Sequence, residues 1–189
     1  MLYSCSGKKE KPKTSVDYNN PKVVLEVAKK ILGDDVNFAY RGSFDNQNKI
    51  EIVAGKEITK SDTTGISFYL IKQNDNGTFG VVYNSGLLNG SFNESLNKKI
   101  KFPGFNYELF YYNSQDYYLG SGGGEIFSYV IDFSKKQVYL AHLVVDKKGI
   151  NLFLSKNMDS PELRNFYISY FKKDYPDLKL TSYNVSFSD

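Results

Sequence analysis

Tryptophan is absent from this chain of 189 residues, and cysteine and histidine each occur once, as Cys5 and His142. A single cysteine excludes a disulfide within the chain, although it leaves the redox compartment open because exported proteins need not contain disulfides. One cysteine and one histidine are also too few for the usual zinc site. Long apolar runs are missing too, since none approaches the ~20 residues that a membrane-spanning helix requires. The sequence therefore predicts no disulfide, no zinc centre and no transmembrane helix.

The chain also lacks a strong excess of charge of one sign. Its formal net charge is +3, from 24 basic and 21 acidic residues. The positive excess lies near the amino terminus, where Lys8, Lys9, Lys11 and Lys13 are opposed only by Glu10. The rest of the chain is close to neutral, which argues against a broad phosphate-binding surface and against a nucleic-acid partner.

Aromatic residues, in contrast, are abundant, with 16 Tyr and 14 Phe. AT-rich codons encode Phe, Tyr, Ile, Asn and Lys, so genomic composition accounts for much of this content. Aromatic side chains nevertheless favour the pleated, half-buried surfaces of β-sheets. The composition therefore predicts a fold rich in strands.

The segment Leu2-Tyr3-Ser4-Cys5 places a leucine three residues before the only cysteine, and a polar, Lys-rich stretch follows it. This segment resembles the lipobox at the cut end of a bacterial lipoprotein signal. The resemblance covers only the amino terminus and implies export, a diacylglycerol on the Cys5 thiol and acylation of the freed amine. It also implies that the protein is anchored to a membrane of the bacterial cell envelope, with the leaflet left open. The alternative is a free cysteine in a frayed cytosolic terminus.

Two helices are predicted in the remainder of the chain. The first spans Pro21 to Leu32, with Asn20 as its cap and Gly33 at its exit, and the second spans Pro161 to about Lys173, with Ser160 as its cap. Residues 1–20 are expected to be the remnant of a lipid tether and a disordered linker, because they are polar and Lys-rich. Residues 21–189 are expected to form a single globular domain.

Short apolar runs alternate with turn residues through the rest of the sequence, as in antiparallel sheets. The predicted strands span Val36–Phe44, Lys49–Ala54, Ile66–Lys72, Thr78–Asn84, Tyr107–Tyr112, Tyr117–Leu119, Glu125–Phe133, Gln137–Val145, Ile150–Ser155 and Leu178–Phe187. The strongest hairpin signal is the segment 74–77, because its Asn-Gly pair accepts positive φ. The fold class predicted is α+β, with one antiparallel twisted sheet or partial barrel and two flanking helices. The alternative is an all-β, propeller-like array with helical caps.

The segment 42–51 resembles the GDFNGDGKxE loops of calcium-binding repeats. Asp45 and Glu51 fall at acidic positions of that pattern, but Ser43 and Gln47 stand where Asp is expected and Asn48 replaces a Gly. Calcium requires several oxygen ligands at alternate positions. We therefore interpret the segment as a hairpin turn and retain Asp45 and Glu51 as an incomplete calcium candidate.

Two further features are weighed as possible sites. The run Gly120 to Gly124 leads into a predicted strand and is followed by no Gly-Lys-Ser/Thr, so we interpret it as a turn that shapes the edge of a binding surface rather than a phosphate loop. His142 lies among apolar neighbours, and no Gly-x-Ser-x-Gly motif accompanies it. It is interpreted as a hydrogen-bonded structural histidine.

The segment 102–118 is dense in aromatic residues and has no Lys or Arg between Tyr107 and Tyr118. Base stacking usually needs interleaved cations, so nucleic acid is disfavoured again. Alternate residues of a strand face opposite sides. We expect most of these rings to enter the core and the others to be exposed, where they could stack on sugar rings or contact a protein. The candidate ligand surface consists of Tyr107, Tyr111, Tyr112, Tyr117, Tyr118, Gly122 and Gly123.

Three functional hypotheses follow, and none needs a cofactor. The favoured one is a non-catalytic envelope module that binds protein or glycan, which predicts an exposed tyrosine patch. A carboxylate hydrolase would instead show paired carboxylates in a concave pocket, one of them with a raised pKa. An envelope assembly scaffold would show a large apolar patch and stable oligomers. The sequence nominates no catalytic residue.

Overall fold

The computed structural model of the chain describes residues 16–45, 49–60, 63–90, 92, 97–118 and 123–182. Within those ranges it contains two helices and eleven strands. Their bounds are α1 Pro21–Leu32, β1 Phe38–Gly42, β2 Glu51–Lys60, β3 Thr63–Gln73, β4 Phe79–Asn84, β5 Leu88–Asn89, β6 Asn97–Ile100, β7 Leu109–Tyr118, β8 Gly124–Asp132, β9 Gln137–Asp146, β10 Gly149–Leu154, α2 Pro161–Lys172 and β11 Lys179–Ser182.

The strands form two sheets. The first sheet has the order β1-β2-β3-β4, with β5 also paired to β3, and the second has the order β11-β10-β9-β8-β7-β6. All pairs are antiparallel except β10 with β11, which is parallel. The α+β class with antiparallel twisted sheets and two helices is confirmed. The strands divide between two sheets, however, where a single sheet was expected.

Four layers result, in the order α1, first sheet, second sheet, α2. Val24 and Ala28 of α1 pack on Ile52 of the first sheet, and Leu163 and Tyr167 of α2 pack on the second. Between the sheets lies an aromatic core to which both contribute. Successive side chains of a strand point to opposite faces of its sheet, and each sheet is covered on both faces. Large apolar side chains are therefore needed on both sides of the strands, which explains the high aromatic content.

Both predicted helices are confirmed. The starts of these helices can be predicted from sequence because each cap residue bonds to a backbone N–H only two or three residues away. The side chain of Asn20 accepts from Lys22 N, and that of Ser160 accepts from Leu163 N. The predicted turn at 74–77 is confirmed as well, with Gly77 at φ 82° and Gly77 N donating to Asn74 O at 2.9 Å.

One predicted turn is wrong. Asn113 and Ser114 were expected to lie between two strands, but β7 continues through them to Tyr118. They pair with Ser128 and Phe127, and a register shift between Ser114 and Tyr117 absorbs the irregularity. The reason is tertiary, since both side chains are fully buried between covered faces. The short strands β5 and β6 were not predicted, and residues 183–187 of the last predicted strand lie outside the described part.

Candidate ligand-binding groove

The predicted tyrosine surface is wrong for three of its members. Tyr107, Tyr111 and Tyr112 are 8%, 2% and 0% exposed. Tyr111 belongs to the core beneath α2, whereas Tyr112 points to the core between the sheets and lies 5.1 Å from the ring of Phe68. Residues 109–114 of β7 are covered on both faces, so Tyr111 and Tyr112, which point to opposite sides of the strand, enter two different cores.

The other members of that predicted surface are only partly described. The backbones of Tyr117 and Tyr118 pair with Glu125 and Gly124, but their side chains, like Gly122 and Cys5, lie outside the described residues. Gly123 has φ 151°, and a Cβ there would approach Val145 O to 1.9 Å. Close packing against β9 therefore requires this glycine.

An aromatic groove lies instead along the outer side of α2, and we call it the α2 groove. It is an open cleft with a volume of about 410 Å³.

The α2 groove is built by residues that recur every three or four positions, so they lie on one side of the helix. The other wall is the turn that connects β6 to β7. The lining residues are Phe102, Pro103, Glu162, Asn165, Phe166, Ser169, Tyr170 and Lys173. The neighbouring stripe of Leu163, Tyr167 and Phe171 is buried against the second sheet. The helix therefore presents one stripe to the core and an adjacent one to the groove.

The aromatic side chains of the α2 groove are held by edge-to-face contacts. The ring of Phe166 lies 5.3 Å from that of Phe102 and 5.4 Å from that of Tyr111, both at 86°. Phe166 and Tyr170 are half-buried, with 6.1 Å between their centroids. Contacts of this geometry fix ring orientation, so the groove has a preformed apolar floor.

A buried polar group also positions Tyr170. Asn113 on β7 is fully buried, and its Nδ2 donates to the Tyr170 hydroxyl at 3.3 Å. Beside them, burial raises the pKa of Tyr111 far above its ordinary value. Because a buried amide needs a partner, this contact holds the Tyr170 hydroxyl at one point in the groove wall.

The rim of the α2 groove is polar and exposed. Asn165 and Ser169 supply an amide and a hydroxyl, while Glu162 and Lys173 supply one charge of each sign. The Ser160 hydroxyl donates to Glu162 Oε2 at 2.7 Å, and this hydrogen bond lowers the pKa of Glu162. The groove thus combines aromatic rings with neutral donors and acceptors and a balanced charge.

Asp45 and Glu51, the calcium candidate, lie in an internal ion cluster. Glu51 is fully buried, and its Oε2 accepts from Phe44 N at 2.5 Å and from Asp45 N at 3.1 Å. The Lys72 ammonium pairs with Asp45 and lies 3.5 Å from Glu51 Oε1. A lysine thus contacts both carboxylates. Within the described ranges, no group of three or more His, Cys, Asp or Glu side chains could hold a metal ion.

His142 is hydrogen-bonded, in agreement with its predicted structural role. Its Nε2 lies 3.1 Å from Glu125 Oε2. The imidazole also stacks on Phe127, with 4.4 Å between centroids and 11° between planes. Both contacts join neighbouring strands of the second sheet.

Comparison with known proteins gives no matching family model, curated protein or solved structure. No helix in the described part of the chain is long and apolar enough to cross a membrane. Function must therefore be argued from the groove and the sequence themselves.

Phe166 and Tyr170 were not among the predicted site residues, because their helical spacing is the same as that of the buried residues Leu163, Tyr167 and Phe171. Together these five aromatic and aliphatic residues form a stripe on a helix of 12 residues that is broader than one packing face requires. The polar neighbours Asn165 and Ser169 were the available signal that part of it faces outward.

Proposed function

We propose that this protein is a lipid-anchored module of the bacterial cell envelope whose folded domain binds a glycan in the α2 groove. The observation that carries the binding proposal is the preformed aromatic floor beneath a polar, charge-balanced rim. Sugar rings have apolar faces that stack on aromatic side chains, and their hydroxyls need both donors and acceptors. The groove offers these two kinds of group side by side.

Direct binding tests the glycan proposal. We expect a panel of soluble oligosaccharides, titrated into the protein by calorimetry, to contain at least one that binds. Asn165→Ala and Ser169→Ala should each weaken that binding by about 1 kcal/mol, or roughly fivefold in Kd, because each removes one hydrogen bond. Both side chains are exposed, so the fold should tolerate their removal.

Arg164→Ala provides a matched control, since Arg164 is exposed on α2 but does not line the groove. Its Kd should be unchanged. Equal losses in all three variants, or binding by none of the oligosaccharides, would contradict the proposal. If no oligosaccharide binds but a protein does, and its binding is weakened by Asn165→Ala, the groove recognises protein instead.

The anchor is tested separately, by acyl labelling of the protein expressed with its natural upstream sequence. The proposal rests on Leu2-Tyr3-Ser4-Cys5. Label on the wild type that is lost in Cys5→Ala would support the anchor, and an unlabelled wild type would exclude it without affecting the groove.

One observation favours the hydrolase alternative. Burial, followed by the nearby Asp45 carboxylate, raises the pKa of Glu51 to about 7, as expected of a general acid. Glu51 is nevertheless 0% exposed, and its Oε2 is occupied by two backbone N–H groups. A substrate would have no access to it, so the cluster supports the loop rather than catalysis.

A further inference from the structure

A second groove lies on the opposite outer face of the molecule, along α1, and we call it the α1 groove. Its volume is about 540 Å³, and its walls include Val16, Tyr18, Val23, Val27 and Phe79. The rings of Tyr18 and Phe79 lie 5.4 Å apart. Like the α2 groove, this groove is mainly apolar, with charged side chains among its lining residues.

The surface beside the α1 groove is also unusually apolar. Val16 is 56% exposed, and Val81 and Val82 on β4 are 44% and 45% exposed. Val81 pairs with Ile71, whose side chain packs beneath α1, so Val81 lies on the same face of the first sheet. Phe79 of the groove wall lies two residues before Val81 on the same strand, so both side chains face α1. Exposed apolar side chains that extend a groove in this way mark interaction surfaces.

Charge at the rim of the α1 groove favours an anionic occupant. Lys22 and Lys30 line it and are exposed, and Glu26 is the only acidic residue among its lining residues. Exposed lysines beside apolar side chains are typical of helices that lie in a membrane interface, where the ammonium groups meet anionic headgroups.

The course of the chain points to the same occupant. Val16, the first described residue, lines the groove, and the sequence before it contains Lys8, Lys9, Lys11 and Lys13. A fully extended segment from Cys5 to Val16 would span at most about 40 Å. If Cys5 is acylated, Val16 and the groove that it lines therefore lie within about 40 Å of the bilayer surface.

We propose that the α1 groove and the adjacent Val81 form a surface that docks on an anionic lipid membrane. This orientation directs the α2 groove away from the bilayer, because α1 and α2 are the two outer layers. The docking is independent of glycan binding, and it can be measured without an acyl chain.

Vesicle flotation of the full, unacylated chain tests the proposal. We expect binding to vesicles of equal parts phosphatidylglycerol and phosphatidylcholine and much weaker binding to phosphatidylcholine alone. Lys22→Gln combined with Lys30→Gln should weaken binding about 30-fold, at roughly fivefold for each lysine near the surface. The matched control combines Lys147→Gln with Lys148→Gln, which removes the same charge from the β9–β10 turn. It should change binding much less.

A second measurement separates docking from attraction by the basic tail alone. Because the chain has no tryptophan, Val16→Trp gives a single reporter whose emission should shift to the blue on anionic vesicles. Equal losses in the two lysine pairs, or an unshifted reporter on bound protein, would overturn the proposal. So would absence of vesicle binding, or a lipid-free dimer that buries the reporter.

Discussion

At the scale of single residues, the cluster of Asp45, Lys72 and Glu51 places ionisable groups largely out of contact with water. Glu51 accepts backbone hydrogen bonds from the segment that follows β1, and so joins that loop to β2. Burial opposes its charge, as does Asp45, and together they raise its pKa to about 7. The stability of the protein must therefore depend on pH through this group.

The sign follows from the direction of the shift. The folded protein holds the Glu51 proton up to about pH 7, whereas the unfolded chain releases it near 4.5. This contribution is therefore complete below the unfolded pKa and is lost as the pH rises through the folded one. Between pH 4.5 and pH 7, we expect the wild type to lose about 2 kcal/mol of stability, or several degrees in Tm, that Glu51→Gln does not lose. Thermal melts of both proteins across this pH range measure the difference. If Tm changes with pH by the same amount in both proteins, Glu51 does not make this contribution.

At the scale of elements, α2 links the fold to its candidate function. One stripe of the helix packs on the second sheet while the next lines the α2 groove. Its first turn is fixed by Ser160, whose hydroxyl accepts from Leu163 N at 3.3 Å and donates to Glu162. The cap therefore orders both the helix end and the rim of the groove.

Ser160→Ala should lower the free energy of unfolding by about 1 kcal/mol, because a backbone donor of the first turn loses its acceptor. Denaturant titration measures this loss, and Asn20→Ala, which removes the corresponding cap of α1, is the matched comparison. The pKa of Glu162, followed by NMR, should also rise in Ser160→Ala. An unchanged pKa would show that the hydroxyl does not hold the carboxylate.

At the scale of the whole molecule, the two sheets share one aromatic core. Phe110 of the second sheet is fully buried and stacks on Phe38 of the first, with 5.6 Å between centroids and 17° between planes. It also lies 5.5 Å from Phe68. A core of this kind couples the sheets, so the two sheets should unfold as one unit, as expected of a single domain.

Phe110→Ala should cost about 3–5 kcal/mol, because it removes a buried ring and leaves a cavity. If the domain is single, hydrogen exchange should show an equal loss of protection for slowly exchanging amides of both sheets. Val82→Ala, at an exposed position, should change little. Loss of protection confined to the second sheet would show that the two halves are separate domains.

The sequence by itself determined the features that depend on neighbouring residues. Asn20 and Ser160 fixed where the helices begin, and the Asn-Gly pair at 76–77 fixed a hairpin, because caps and turns are satisfied within a few residues. The tertiary structure decided which faces are covered. It divided the strands between two sheets, buried Tyr111 and Tyr112 in different cores, and left Phe166 and Tyr170 of α2 to line a groove. Burial depends on what packs against a surface from distant parts of the chain, and local sequence carries little of that information.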